Sequence, residues 1–151
     1  MLHIRRASAS DIPALSQLIA AYWAFEGMSA FDAQAVGSAM QRLLGSPSLG
    51  AGWIAVDDER PAGYLLAVYL FSLEHLGLTA EIDELYVDPA ARGGGIGARL
   101  LAAAEAEFAR LGCTNVSLQL ARDNDVARRF YRRAGHAERD RYELLDKPLS
   151  L

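Results

Sequence analysis

The stretch "YVDPAARGGGIGARLL", Tyr86 to Leu101, has glycine at four of the five positions from 93 to 97. It follows an apolar run and precedes an amphipathic one, so it joins a predicted strand to a predicted helix. Glycine weakens a regular element by roughly 0.5–1 kcal/mol relative to alanine, so four of them at one junction need a reason. A glycine-rich turn that leads into a helix exposes backbone N–H groups and the partial positive charge of the helix start. The stretch therefore predicts a seat for a phosphate or pyrophosphate group.

Two other interpretations of these glycines compete with the phosphate seat. An ordinary flexible turn also uses glycine where a strand meets a helix. A dinucleotide-binding fingerprint would use Gly93, Gly95 and Ala98 in the pattern G-x-G-x-x-G/A, but its glycines follow the strand directly, whereas "DPAAR" intervenes here. A P-loop is excluded because no Gly-Lys-Ser/Thr follows. Arg92 adds a fixed positive charge beside the glycines, which favours a phosphorylated cofactor at the end of the strand "IDELYV".

The length and composition of the chain predict one ordinary globular domain, residues 1–151. The net charge of −4 argues against nucleic-acid or anionic-membrane partners, and no apolar run approaches the ~18 residues of a membrane span. The N-terminal segment lacks the apolar core of a signal peptide. A lone Cys113 excludes an internal disulfide and a thiolate-cluster metal site. We therefore expect a cytoplasmic protein without a metal ion, a nucleic-acid partner or a membrane association.

The periodicity of apolar residues predicts a mixed α/β (α+β) fold with the element order β-α-α-β-β-β-α-β-α-β. Ser10 is the expected N-cap of the first helix, and Asp57 to Pro61 are the expected turn between two central strands. The predicted helices cover residues 10–27, 32–44, 96–112 and 125–135. The predicted strands cover residues 2–7, 53–57, 62–71, 81–87, 115–120 and, last, "RYELL" at 141–145.

Two motifs resemble those of the GNAT superfamily of acyl-CoA N-acetyltransferases. "RGGGIG", Arg92 to Gly97, resembles the family's Arg/Gln-x-x-Gly-x-Gly/Ala signature, which binds the pyrophosphate of coenzyme A. "NDVARRFYRRAG" is similar to its Asn-x-x-Ala-x-x-x-Tyr…Gly segment, through Asn124 and Tyr131. The element order matches over nearly the whole chain. The resemblance implies a mixed sheet of about six to seven strands flanked by about four helices, with the cofactor cleft between two splayed strands.

The resemblance also implies an activity, namely direct transfer of an acetyl group from acetyl-CoA to a primary amine in a ternary complex. Asn124 would hold the pantetheine arm, although it could instead simply cap the last helix. The residues implied to bind acetyl-CoA are Leu85, Tyr86, Val87, Arg92, Gly93, Gly94, Gly95, Ile96, Gly97, Ala98, Asn124 and Tyr131.

Tyr131 is the expected general acid, because its unperturbed pKa near 10 suits protonation of a departing thiolate. The alternative role for Tyr131 is that of a core aromatic on the helix face it shares with Phe130. The resemblance to the family favours the acid.

The general base is expected from carboxylates, because none of the three histidines lies in either motif. The strand "EIDEL" offers Glu81, Asp83 and Glu84, and we favour Glu84 and then Asp83. Strict alternation would place Glu84 on the face of Ile82 and Tyr86. Because the adjacent Asp83 and Glu84 break the apolar pattern, we also expect a β-bulge there. A solvated strand face, or a water relay instead of a side-chain base, is the alternative.

The amine acceptor is the least readable part of the sequence. Three stretches resemble polyamine acetyltransferases, and Glu26 and Glu81 could pair with a cationic acceptor. Gln119 stands where some protein N-terminal acetyltransferases have a catalytic glutamate, and Gly135-His136 replaces the usual Gly-Phe. We therefore favour a small-molecule amine, such as a polyamine or aminosugar. A protein or peptide acetyltransferase and a non-catalytic coenzyme-A-binding domain are the alternatives, and a homodimer is expected because many relatives are dimers.

Overall fold

Five strands and four α-helices are present in residues 1–150, the part of the chain that this computed structural model describes. The chain divides into two compact units, Met1–Gln119 and a C-terminal unit that begins at Leu120. The elements in chain order are β1 (Leu2–Arg6), α1 (Ile12–Glu26), α2 (Ala33–Leu44), β2 (Gly50–Asp57), β3 (Arg60–Ser72), β4 (Gly77–Val87), α3 (Ile96–Arg110), β5 (Val116–Leu118) and α4 (Asp125–Arg133).

The first unit is built on one mixed sheet with the strand order β1-β2-β3-β4-β5. The pairs β1–β2, β2–β3 and β3–β4 are antiparallel, and β5 runs parallel to β4. This sheet confirms the predicted α/β fold class. The expected six to seven strands were too many, because residues 141–145 form no strand. The apolar side chains of that segment, Tyr142, Leu144 and Leu145, are exposed, so no burial stabilises an extended conformation there.

The two faces of the sheet are covered by different helices. Ile54, Tyr64 and Leu66 point to the face where α1 and α2 pack, and they share a buried cluster with residues of both helices. On the opposite face, the ring of Phe108 in α3 contacts the rings of Trp53 and Tyr69 edge-on, at centroid distances of 5.8 and 6.1 Å. The sheet therefore separates two apolar layers, and the central strands β2 and β3 are buried on both faces.

The starts of α1 and α2 show how local sequence sets the helix boundaries. Asp32, where the second helix was predicted to begin, caps α2, and its carboxylate accepts hydrogen bonds from the backbone N–H groups of Gln34 and Ala35 at 3.0 and 3.1 Å. The prediction of Ser10 as N-cap of α1 was wrong. A short 3₁₀ turn precedes α1, and Asp11 occupies the cap position, where it accepts the backbone N–H of Ser8 at 2.8 Å. A longer-range partner, the Arg5 guanidinium, fixes Asp11 from β1 through two bonds of 2.8 Å.

We expect Asp11→Asn to destabilise the fold in a pH-dependent way. The Arg5 guanidinium and the Ser8 N–H hold the pKa of the buried Asp11 carboxyl at about 2, below its usual value near 4. The ionised side chain therefore stabilises the native state above pH 4, and this contribution is lost as the pH falls towards 2. Urea unfolding should show a loss of about 1–2 kcal/mol at pH 7 that vanishes near pH 2. Asp146→Asn, at an exposed site, is the control, and an equal loss at both pH values would contradict the prediction.

The C-terminal unit comprises residues 120–124, α4 and the segment that follows α4. The side-chain oxygen of Asn124 accepts the backbone N–H of Ala127 at 3.1 Å, so Asn124 caps α4. The Tyr131 ring packs against the rings of Phe130 and His136, at centroid distances of 5.0 and 5.5 Å.

Among the helices of residues 1–150, none combines the length and apolar character that a membrane span needs.

Candidate active site

A β-bulge in β4 breaks the register between β3 and β4. Leu66 pairs with Glu84 and the next residue of β3, Ala67, pairs with Ile82, so Asp83 is the extra residue. This confirms the predicted bulge. It also corrects the predicted faces, because directly paired residues share a face. Glu84 follows Leu66 towards α1 and α2, whereas Ile82 follows Ala67 to the opposite face. The bulge thus changes which side of the sheet the strand presents.

Both carboxylate oxygens of Glu84 accept hydrogen bonds from aromatic side chains. Trp23 Nε1 in α1 donates to Oε2 at 2.8 Å, and the Tyr64 hydroxyl in β3 donates to Oε1 at 2.9 Å. Tyr64 is fully buried, and burial together with the neighbouring Glu84 charge raises its pKa, so it stays a neutral donor. These two donors fix the orientation of the carboxylate, which an unsupported glutamate side chain would not keep.

The environment of Asp83 and Glu84 favours their neutral forms more than water does. Burial raises the pKa of Glu84, and the hydrogen bonds from Trp23 and Tyr64 oppose that rise. The Asp83 side chain is exposed overall, but the surrounding walls remove part of the water from its carboxylate and raise its pKa. Carboxylates with raised pKa values in a concave site are candidates for proton transfer at neutral pH.

The two carboxylates line a pocket of about 300 Å³ between the helices and the sheet, which we name the α1–α2 pocket. Ile19 and Trp23 contribute from α1, and Leu66 from β3. The α2 side of the pocket is formed by Ala35, Val36, Ala39, Met40 and Leu43. Adjacent residues of a regular strand point to opposite faces. The bulge therefore explains how Asp83 and Glu84 both reach this one pocket.

The glycine-rich loop follows β4 after a short 3₁₀ turn, Pro89–Ala91, and leads into α3. Gly93 and Gly95 have φ angles of +89° and +74°, and a Cβ added at either would meet no atom within 4 Å. The first hydrogen bond of α3 runs from the Arg99 N–H to the Gly95 carbonyl at 3.0 Å, so the N–H groups of residues 96–98 precede it. The loop therefore presents open backbone donors at a helix start, and this fits a phosphate-bearing cofactor.

Arg92 is held at the end of β4 rather than extending freely from the loop. Its Nε donates to the Val87 carbonyl at 3.0 Å. Its guanidinium lies over the rings of Phe25 and Tyr86, 5.6 and 5.9 Å from their centroids. The positive charge is thus fixed beside the glycines while the side chain stays exposed.

β4 and β5 pair over three positions only, the last being Ile82 with Leu118. Residues 83–87 of β4 lie beyond this pairing, so the pairing of the two strands ends where the bulge begins. The side chains of Tyr86 and Ile96 are buried, and these two residues can therefore offer a ligand only their backbone groups.

Residues 13–136 match the profile of the Acetyltransferase (GNAT) family. The chain belongs to this family. An integron cassette protein from the mobile metagenome of Cole Harbour Salt Marsh is 30% identical, with a TM-score of 0.86 over 98% of this chain and 91% of that chain. An aminoglycoside acetyltransferase from an uncultured soil metagenomic sample, in complex with sisomicin, is 25% identical, with a TM-score of 0.78 over 99% and 96%.

A further GNAT structure supports the fold alone. Aminoglycoside N-acetyltransferase AAC(6')-Iy in complex with CoA is 17% identical, with a TM-score of 0.86 over 99% of this chain and 96% of that chain. No curated protein matches the chain significantly. The match to the GNAT family, whose members use acetyl-CoA, confirms the predicted acetyltransferase class. The acceptor and the roles of individual residues stay predictions.

The other predicted acceptor residues of this GNAT domain lie in different places. Glu26 is the last residue of α1. Burial raises the pKa of Tyr22 to about 12, and the nearby charge of Glu26 contributes to this rise. Glu81 accepts from Gln119 Nε2 at 3.4 Å and lies before the bulge. The turn between β3 and β4, which contains His75, lies at the opposite end of β4 from the glycine-rich loop. Neither Glu26 nor Glu81 is among the residues that line the α1–α2 pocket.

Sequence reasoning did not identify Trp23 and Tyr64 as hydrogen-bond donors to Glu84. Trp23 stands in the aromatic run "YWAF", residues 22–25, just before Glu26. A signal did exist, because a tryptophan near the end of an amphipathic helix needs an acceptor for its N–H when it is partly buried.

Proposed function

We propose that this enzyme transfers an acetyl group from acetyl-CoA to the primary amine of a small cationic molecule, by direct attack in a ternary complex. The observation that carries the proposal is the pair Asp83 and Glu84, which line the α1–α2 pocket at the bulge of β4. The same strand ends at Val87 and leads into the glycine loop. One strand therefore connects the site for the amine to the site for the cofactor.

The cofactor seat that we propose follows the order of the chain. Backbone groups of Leu85, Tyr86 and Val87, beyond the last β4–β5 pair, would bind the pantetheine arm. Amides of residues 93–98 would bind the pyrophosphate, with Arg92 beside them. Acetyl-CoA supplies the acetyl group as an activated thioester. For Asn124 and Tyr131 the proposal rests on their match to the family motif.

Protons move at two proposed positions. Glu84, or Asp83 beside it, accepts the proton that the acceptor ammonium must lose before it can attack. The raised pKa of Glu84 suits this role, because a base works best when its pKa is near the working pH. The Tyr131 hydroxyl donates a proton to the departing sulfur. In the ground state the two carboxylates also offset the positive charge of the bound amine.

The acceptor class is supported by charge and by one relative. The net charge of −4 favours the approach of cations. The 25% identical relative is an aminoglycoside acetyltransferase, whose structure contains sisomicin. A polyamine or aminosugar thus remains within the proposed class of small cationic amines. A homodimer in the cytoplasm also stays a prediction.

The test is thiol release from acetyl-CoA with a panel of amines: spermidine, short diamines, aminoglycosides, amino acids and peptides. We expect release with small cationic amines and a rate that falls as ionic strength rises. Release with peptides alone would instead identify a protein acetyltransferase. Calorimetric binding of coenzyme A without release for any amine would favour the non-catalytic domain.

Glu84→Gln is expected to lower kcat/KM at pH 7 by about tenfold or more and to move the rise of the pH profile to higher pH. Glutamine keeps the shape of the side chain, and the Tyr64 hydroxyl can turn to accept its amide N–H. The variant cannot take up the proton, so the amine must be deprotonated by the medium. Measurement of kcat/KM from pH 5 to pH 10 checks this. Glu59→Gln, in the exposed β2–β3 turn, is the control, and superimposable profiles for Glu84→Gln and wild type would exclude Glu84 as the base.

A further inference from the structure

The α1–α2 pocket combines one charged end with apolar walls. Asp83 and Glu84 lie at the charged end, and they are the only charged side chains that line the pocket in the described part of the chain. Ile19, Val36, Met40 and Leu66 form much of the remaining surface. The one other polar side-chain group of the lining, the Trp23 N–H, already donates to Glu84.

This distribution limits what the body of an acceptor can carry. One ammonium group can pair with Asp83 and with the remaining lone pairs of Glu84. A second ammonium group, or a ring of hydroxyl groups, would lie against apolar side chains that offer no hydrogen-bond partner, and burial without a partner is costly. An alkyl or aryl body instead gains from the removal of its own surface and that of the walls from water.

The size of the pocket sets a second limit. Its volume of about 300 Å³ is at the lower end of the range for small-molecule sites. At about 30 Å³ for each water molecule in the liquid, it corresponds to roughly ten water molecules. A body of about that many non-hydrogen atoms fills it, whereas most of a molecule of several sugar rings would lie outside it.

We propose that the preferred acceptor is an amphiphilic monoamine, with a single ammonium group at Asp83 and Glu84 and an apolar alkyl or aryl body between α1 and α2. This inference rests on the proposed function and narrows its acceptor class. Trp23 has two roles in it, since its ring forms part of the apolar wall and its N–H orients the carboxylate that meets the ammonium. Ala35 and Ala39 leave the room on the α2 side that the apolar body occupies.

The first test compares acceptors that differ in one feature. Hexylamine and 1,6-diaminohexane have the same chain, and only the second carries another ammonium group. Phenethylamine and glucosamine each carry one ammonium group, the first on an aryl body and the second on a ring of hydroxyl groups. We expect kcat/KM for hexylamine and phenethylamine to exceed that for 1,6-diaminohexane, spermidine and glucosamine by about tenfold or more. Equal or higher values for the diamine, spermidine or glucosamine would overturn the inference and leave the acetyltransferase proposal intact.

The second test fills the pocket. Ala39→Leu should reduce kcat/KM for hexylamine about tenfold while coenzyme A affinity is unchanged, because the added side chain takes the space of the apolar body. Ala106→Leu makes the same change at an exposed position of α3 and should have no effect. An Ala39→Leu enzyme that uses hexylamine as well as the Ala106→Leu enzyme would show that the body binds elsewhere.

A binding measurement separates this inference from the proposed activity. Trp23 lines the pocket, so hexylamine should change the tryptophan fluorescence of the protein saturably, and the change should be absent in Trp23→Phe. Saturable binding of hexylamine without thiol release for any amine would refute acetyl transfer but retain the pocket preference. Fluorescence that responds equally to hexylamine and 1,6-diaminohexane would refute the preference whatever the activity.

Discussion

Replacement of Gly95 with valine is expected to weaken coenzyme A binding by about 100-fold or more, through the loss of one or two charge-assisted hydrogen bonds to the pyrophosphate. A Cβ at this position points into space that no atom of the chain occupies within 4 Å, the space where we propose that the phosphates bind. Gly97→Val, inside the first turn of α3, should weaken binding in the same direction. Isothermal titration calorimetry with coenzyme A measures both effects.

The control for Gly95→Val must reproduce its backbone strain. Gly95 has a φ of +74°, and a side chain in this left-handed region costs roughly 1–2 kcal/mol of folding free energy. Gly112 after α3 has a φ of +78° and equally open surroundings, so Gly112→Val carries the same strain. We expect both variants to lose similar stability but only Gly95→Val to lose coenzyme A affinity. Wild-type affinity in both Gly95→Val and Gly97→Val would remove the loop from the cofactor site.

Tyr131→Phe is expected to reduce kcat by about 100-fold or more with little change in coenzyme A affinity, which is the usual effect of removing a general acid. Phenylalanine keeps the ring that packs against Phe130 and His136, so the local structure of the C-terminal unit should survive. Steady-state kinetics with the best amine of the panel, together with thermal unfolding, separate the loss of the hydroxyl from a loss of folding.

Tyr142→Phe is the matched control for Tyr131→Phe, because it makes the same chemical change at an exposed position of the same unit. If Tyr131 is the general acid, the alkaline limb of the pH dependence of kcat should also change in Tyr131→Phe. A kcat within twofold of wild type, with an unchanged profile, would leave Tyr131 as a core aromatic of α4.

The helices and the loop could be predicted because their signals are local. Asp32 before an amphipathic run and glycines before another specify the starts of α2 and α3 within a few residues of sequence. The strand expected at 141–145 shows the limit of such patterns, since a short apolar run alone does not fix whether a partner buries it.

The carboxylate site could be predicted only in part, because its geometry depends on distant residues. Asp83 and Glu84 were recognisable from sequence as a break in an apolar strand. Their common direction depends on the pairing of β4 with β3, and strict alternation placed Glu84 correctly with Tyr86 but wrongly with Ile82. Trp23 and Tyr64, which orient Glu84, are 61 and 20 residues away in the chain. Contacts of that separation leave no periodic trace in one sequence.

The bulge at Asp83 accommodates one extra residue in β4 without disturbing the pairs on either side of it. Deletion of Asp83 would restore an uninterrupted pairing with β3, with Glu84 still opposite Leu66 and Ile82 still opposite Ala67. Trp23 and Tyr64 would keep their acceptor, and only the second carboxylate of the α1–α2 pocket would be lost. A single inserted residue therefore separates a strand that offers one carboxylate to the pocket from a strand that offers two, and a descendant sequence could gain or lose the second carboxylate without refolding the sheet.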